Sequence, residues 1–122
     1  MDVATLARNQ SFNRIAMGFG LVLAPGLLAR VWVGSAAGDS RAKVLARALG
    51  IRDLALGAAG VLALREDDRQ WVRRAFVAQA LADAIDFVAL VAGRDVPRAS
   101  RLIGGTLAAG SAALAAAYAR QV

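Results

Sequence analysis

The 122-residue chain contains no cysteine and no histidine. Disulfides are excluded, and with them the thiolate and imidazole ligands of the usual soft metal sites. No serine, histidine and acid set can be assembled for nucleophilic catalysis. The glycine-rich run GIRDLALGAAG is not a phosphate loop either, because no strand precedes it and no Gly-Lys-Ser/Thr follows. Proline occurs twice and aromatic residues make up 6%. No fixed short repeat is visible. No cofactor and no metal site is therefore expected.

What is present is apolar. Hydrophobic residues account for 58% of the chain and the mean hydropathy is +0.51, above the roughly 45–50% apolar usage of soluble domains. Their distribution matters more than their number. Residues 15–29 and 102–119 carry no charge, and residues 75–93 carry only Asp83 and Asp86. Spans of about 17–25 mostly apolar residues are the signal of membrane-crossing helices. Four can be drawn, at about 14–33, 41–64, 71–93 and 98–118. In this setting the net charge of +6, carried by arginines at span ends, points to anionic lipid headgroups and not to nucleic acid.

The expected architecture is an all-α, four-span transmembrane bundle running up, down, up, down as one domain, with both termini on one side. Ser11 or Asn13 is expected to cap the first span, and Pro25 with Gly26 to kink it. Asp39 or Ser40 is expected to cap the second. The charged turn from Arg65 to Gln70 belongs in water, and Arg94, Asp95 and Pro97 form the last turn. Trp32 marks one membrane boundary, Trp71 and Tyr118 the other. Seven basic residues fall on each side, Arg14 being counted with the terminal side, so the positive-inside rule gives no orientation. The expected location is the inner membrane, multi-pass, with lipids as partners.

Within the second span Ala46, Gly50, Asp53, Gly57, Gly60 and Ala63 follow at steps of four and three and share one helix face. Small residues so spaced let two helix backbones approach closely in a membrane. In the third span Gln79, Asp83 and Asp86 share a face by the same rule. Each central Asp costs about 2.5–3.5 kcal/mol on the insertion scale, so this face must turn into the bundle. Counted from the turn between spans two and three, Asp53 and Asp83 both lie about 18–20 Å deep. Arg52 is then expected to neutralise at least one of Asp53, Asp83 and Asp86. Three carboxylates cannot all stay ionised beside one guanidinium in a low dielectric, so one should hold a proton near neutrality. Arg47 is a secondary candidate.

The runs RALGIRDLALG (47–57), LAPGLLARVW (23–32) and ALADAID (80–86) together resemble a group of small four-helix bacterial integral membrane proteins of unknown function, similar in layout to the DoxX-like families. The Ala, Arg and Gly content resembles that of actinobacterial proteins. Arg47, Gly50, Arg52, Asp53, Asp83 and Asp86 are the most specific positions of this resemblance. It implies a four-span inner-membrane protein and brings no established activity. DoxX-like proteins are associated with quinone-linked redox work, for which this sequence shows no cofactor ligand. Three functions fit. The favoured one is binding of a lipophilic or cationic small molecule at the Arg/Asp cluster, as in a proton-coupled carrier acting as a homodimer or larger. The others are an intramembrane acid-base enzyme, of isomerase or cyclase type, in which a protonated Asp acts on a hydrophobic substrate, and an accessory subunit of a membrane complex with no site of its own.

Overall fold

A computed structural model of the chain describes residues 2–33, 39–93 and 96–122, with side-chain positions left out at Ala29 and 31–33. The expected Gly34 to Ser40 connection lies mostly outside the described residues, as do Arg94, Asp95 and the side chain of Trp32. The described residues form five helices and no strand: α1 (Val3–Leu23), α2 (Pro25–Val33), α3 (Ser40–Glu66), α4 (Arg69–Ala92) and α5 (Arg98–Gln121).

Local chemistry explains the boundaries. Helix α1 begins eleven residues before the expected span because Asp2, not Ser11 or Asn13, is the cap: its carboxylate accepts from the Thr5 N–H at 2.7 Å, satisfying one of the free donors of the first turn. The helix ends at Ala24, and Pro25 opens α2, since proline has no N–H to continue the ladder but suits a first helical position. Asp39 caps α3 by accepting from the Arg41 N–H, and Asp68 caps α4 by accepting from the N–H groups of Gln70 and Trp71. Arg65, Glu66, Arg69 and Gln70, expected in a turn, are helical. The reversal takes only Asp67 and Asp68, and Asp67 adopts the left-handed conformation with φ 53° and ψ 30°.

Two helix pairs make up the bundle. Helix α1 packs along most of α3, and α4 along most of α5, whereas contact is sparse between α3 and α4 and between α1 and α5. The small-residue stripe of α3 is buried, apart from Asp53, which is half-buried, and the helix it faces is α1. The closeness is steric: a Cβ on Gly50 would lie 2.7 Å from the Gly18 carbonyl oxygen, and one on Gly57 2.6 Å from that of Ser11. At the end holding both termini and the Asp67 turn, Ala7, Ala63, Phe76, Ala115 and Ala119 form a core shared by all four long helices. Leu21 and Ala46 anchor α1, α2 and α3 at the other end. The order is therefore up, down, up, down.

Polarity is distributed inside out. Gln79 and Ser11 are fully buried and Arg14 and Asp83 nearly so, while Phe19, Leu23, Leu45, Ile51, Leu81, Ile85, Val88 and Leu102 stand at least half exposed. Two helices, α4 and α5, are long and apolar enough to cross a membrane. Helices α1 and α3 carry the inward charges Arg14, Arg52 and Asp53 as well as exposed polar residues such as Arg8, Asn9, Arg41 and Arg47.

Candidate functional site

Halfway along the bundle the four long helices meet in a polar network centred on Arg14. Its position follows from the Asp2 cap, which starts α1 early enough to place residue 14 mid-helix and not at a helix end. Ala7, Ser11, Arg14, Gly18 and Leu21 are all buried, a stripe at steps of four and three like the one on α3.

The Arg14 guanidinium reaches every other long helix. Nη1 donates to Asp53 Oδ1 on α3 at 3.2 Å, Nε donates to Gln79 Oε1 on α4 at 3.2 Å, and Nη2 donates to Asp83 Oδ2. Nη2 also lies 3.4 Å from the Ser111 hydroxyl on α5. Ser111 in turn donates to Asp83 Oδ2 at 2.6 Å and accepts from Gln10 Nε2 at 2.5 Å. Gln79 completes the crossing, donating to Ser11 Oγ at 3.2 Å and to the Leu56 carbonyl at 3.0 Å. A planar fork with five donors suits this role; a lysine would offer three donors from one point.

A second guanidinium stands nearer the surface. Arg52 binds Asp86 through two parallel bonds, Nη1 to Oδ1 at 2.9 Å and Nη2 to Oδ2 at 2.6 Å, and Nη2 lies 3.5 Å from Asp53 Oδ1. Arg52, Asp53, Gln79, Asp83 and Asp86 are thus brought together, and Arg52 pairs with one of the three carboxylates, Asp86, as expected. One correction concerns the charge count. The three carboxylates face two guanidiniums instead of one, because Arg14 supplies the second. Arg47 is outside the cluster: it is exposed and donates from Nε to the Val22 carbonyl at 3.2 Å, beside the break at Ala24. Arg14, Ser11, Gln10 and Ser111 are the members that sequence reasoning missed. Arg14 also leaves the terminal side of the basic-residue tally.

The cluster forms the floor of a cleft of about 560 Å³ in the loose seam between α1 and α5. Arg14, Asp53, Asp83 and Asp86 line it together with Leu6, Met17, Leu49, Leu107 and Leu114. Asp53 Oδ2 and Asp83 Oδ1 accept no hydrogen bond from any described residue. Two guanidiniums against three carboxylates leave the floor one negative charge in excess when all are ionised. Among the described residues no three acidic side chains are disposed to hold a metal ion; the guanidiniums occupy the space between them. In comparisons with known proteins, no family model, curated protein or solved structure matches the chain.

Proposed function

We propose that the chain is a four-span membrane bundle that binds a lipophilic cation in the cleft between α1 and α5. The observation that carries this is the pair of carboxylate oxygens, Asp53 Oδ2 and Asp83 Oδ1, left without donors in a leucine-lined cleft with one excess negative charge. An excess negative charge facing an apolar cleft is costly, and a monovalent cation neutralises the floor. The leucines and Met17 hold the apolar body of the ligand. The cleft volume lies in the roughly 300–1,000 Å³ range of small-molecule sites.

The membrane setting is supported by the apolar exterior, by α4 and α5 as spans of sufficient length, and by the inward turn of every mid-helix charge. Helices α1 and α3 cross beside them, their charges shielded by one another. The cleft, opening between two helices, then admits its ligand sideways from lipid. Exchange of the bound cation for a proton would keep the same charge balance, as a proton-coupled carrier requires.

Tetraphenylphosphonium and tetraphenylborate, equal in shape and opposite in charge, provide the test on protein purified in detergent. The cation is expected to bind saturably with proton release and the anion not to bind. Asp83→Asn or Asp53→Asn should weaken binding about tenfold, the scale of one charge-assisted contact, and Asp39→Asn, at a helix cap far from the cleft, should leave it unchanged. Equal binding of both ions, or of the cation to wild type and both cleft variants, would refute the site. Recovery as a monodisperse monomer without detergent would refute the membrane setting.

A further inference from the structure

A second concavity, of about 410 Å³, opens at the end of the bundle that holds both termini. It lies away from the Arg14 network, and Thr5, Arg8 and Phe12 of α1, Val61 and Arg65 of α3, and Tyr118 of α5 contribute to it. Its polarity is graded with depth. Thr5, Arg8, Arg65 and Tyr118 lie toward the helix ends. Phe12 and Val61 lie deeper, Phe12 roughly 10 Å below Thr5 at about 1.5 Å of rise per residue. Neither Arg8 nor Arg65 has a carboxylate within ion-pair distance among the described residues. Tyr118 is held by its ring, which stands edge-on to Phe76 at 4.8 Å.

Resting on the membrane setting argued above, we propose that this groove is a binding site for one anionic phospholipid, its phosphate between the Arg8 and Arg65 guanidiniums and its upper acyl chain over Phe12 and Val61. Guanidiniums suit a phosphodiester because their forked donors match its oxygens. Both guanidiniums line the groove, and they come from different helices of one tight pair. The cationic rim lies at the helix ends, where the headgroups of the surrounding bilayer lie, and the apolar floor lies below it, so the groove follows the order of groups along a phospholipid.

The probe is phosphatidylglycerol added to the detergent-solubilised protein, with phosphatidylcholine as baseline and thermal unfolding as readout. Phosphatidylglycerol is expected to raise the midpoint saturably above the phosphatidylcholine baseline. In the Arg8→Gln, Arg65→Gln double variant its apparent affinity should fall at least tenfold, at about a factor of five per basic residue near an anionic headgroup. Arg74→Gln, an exposed arginine at the same end but outside the groove, should keep the wild-type response. Equal losses in Arg74→Gln and the double variant would overturn the site in favour of diffuse surface charge. An equal rise with inorganic phosphate would overturn the lipid as occupant. If the protein needs detergent and still makes no distinction between the two lipids, only the groove assignment fails; if it is a monomer without detergent, the membrane setting fails first.

Discussion

Removing Arg14 is the most informative single perturbation of this bundle. Its side chain is 7% exposed and is shared by Asp53 and Asp83, which are 14% and 7% exposed. Truncation to alanine leaves Asp83 with only the Ser111 hydroxyl and Asp53 with only the long contact to Arg52. Breaking a buried pair from one side costs about 3–5 kcal/mol, most of it the penalty of the charge left behind. Asp83→Asn removes that stranded charge while keeping its shape. The Arg14→Ala, Asp83→Asn double variant should therefore be more stable than the sum of the single losses by about 1.5 kcal/mol or more, at the upper end of interhelical couplings measured in membranes. Arg52 and Asp86, 33% and 23% exposed, should couple by about 1 kcal/mol or less. Arg52 with Asp83 should be additive within about 0.5 kcal/mol. Unfolding by sodium dodecyl sulfate titrated into mild micelles, followed by circular dichroism, gives all three cycles. If Arg14→Ala alone does not fold, recovery of folded protein on adding Asp83→Asn is the same result in qualitative form. Additivity of Arg14 with Asp83, or strong coupling of Arg52 with Asp83, would refute the assignment of Arg14 as the hub.

Two further expectations test the helix packing and the capping. Gly50→Ala places a methyl 2.7 Å from the Gly18 carbonyl and should cost about 1–3 kcal/mol in the same unfolding assay; Gly110→Ala meets nothing within 4 Å and should be neutral or slightly stabilising, as alanine is the better helix former. Thr5 hydrogen bonds hold the Asp2 carboxyl below its ordinary value, so the capping contribution is full above the carboxylate range and is lost as the pH falls through the lowered value. The protection of the Thr5 amide relative to its intrinsic exchange rate should fall below about pH 4, and Asp2→Asn should abolish that pH dependence; an unchanged profile in the variant would remove Asp2 as the cap.

Much of this layout was legible before any coordinates. The stripe from Ala46 to Ala63 announces a close helix neighbour because glycine and alanine at that spacing have little else to contribute. Depth counting from the Asp67 turn correctly levels Asp53 with Asp83, which now share Arg14. The identity of the neighbour was not legible: stripes specify a face and not a partner, and α1 instead of α4 lies on it. Arg14 was missed because the apolar run starts at Ile15, which makes residue 14 look like a boundary anchor. The signal lay in Ala7, Ser11, Arg14 and Gly18, which repeat the four-three spacing of α3, and in an N-terminal Asp three residues ahead of Thr5. Ser111 was hidden likewise among the alanines of α5, where Gly104, Ala108 and Ala115 mark its face.

The helix pairing coincides with the order of synthesis. Residues up to Glu66 form one tight pair with its α2 appendage, residues from Arg69 form the other, and only the Asp67 reversal joins them. The leading half carries Arg14, Arg52 and Asp53 and so brings its acid already matched, with one positive charge to spare. The trailing half brings Asp83 and Asp86 with no cation of its own. A nascent chain therefore makes the hairpin that carries both guanidiniums before the acidic hairpin arrives, and docking on the first gives both trailing carboxylates a cationic partner. Opposite surplus charge on the two mating faces favours the heterotypic assembly of one leading with one trailing half. Two trailing halves meeting each other would set four carboxylates face to face.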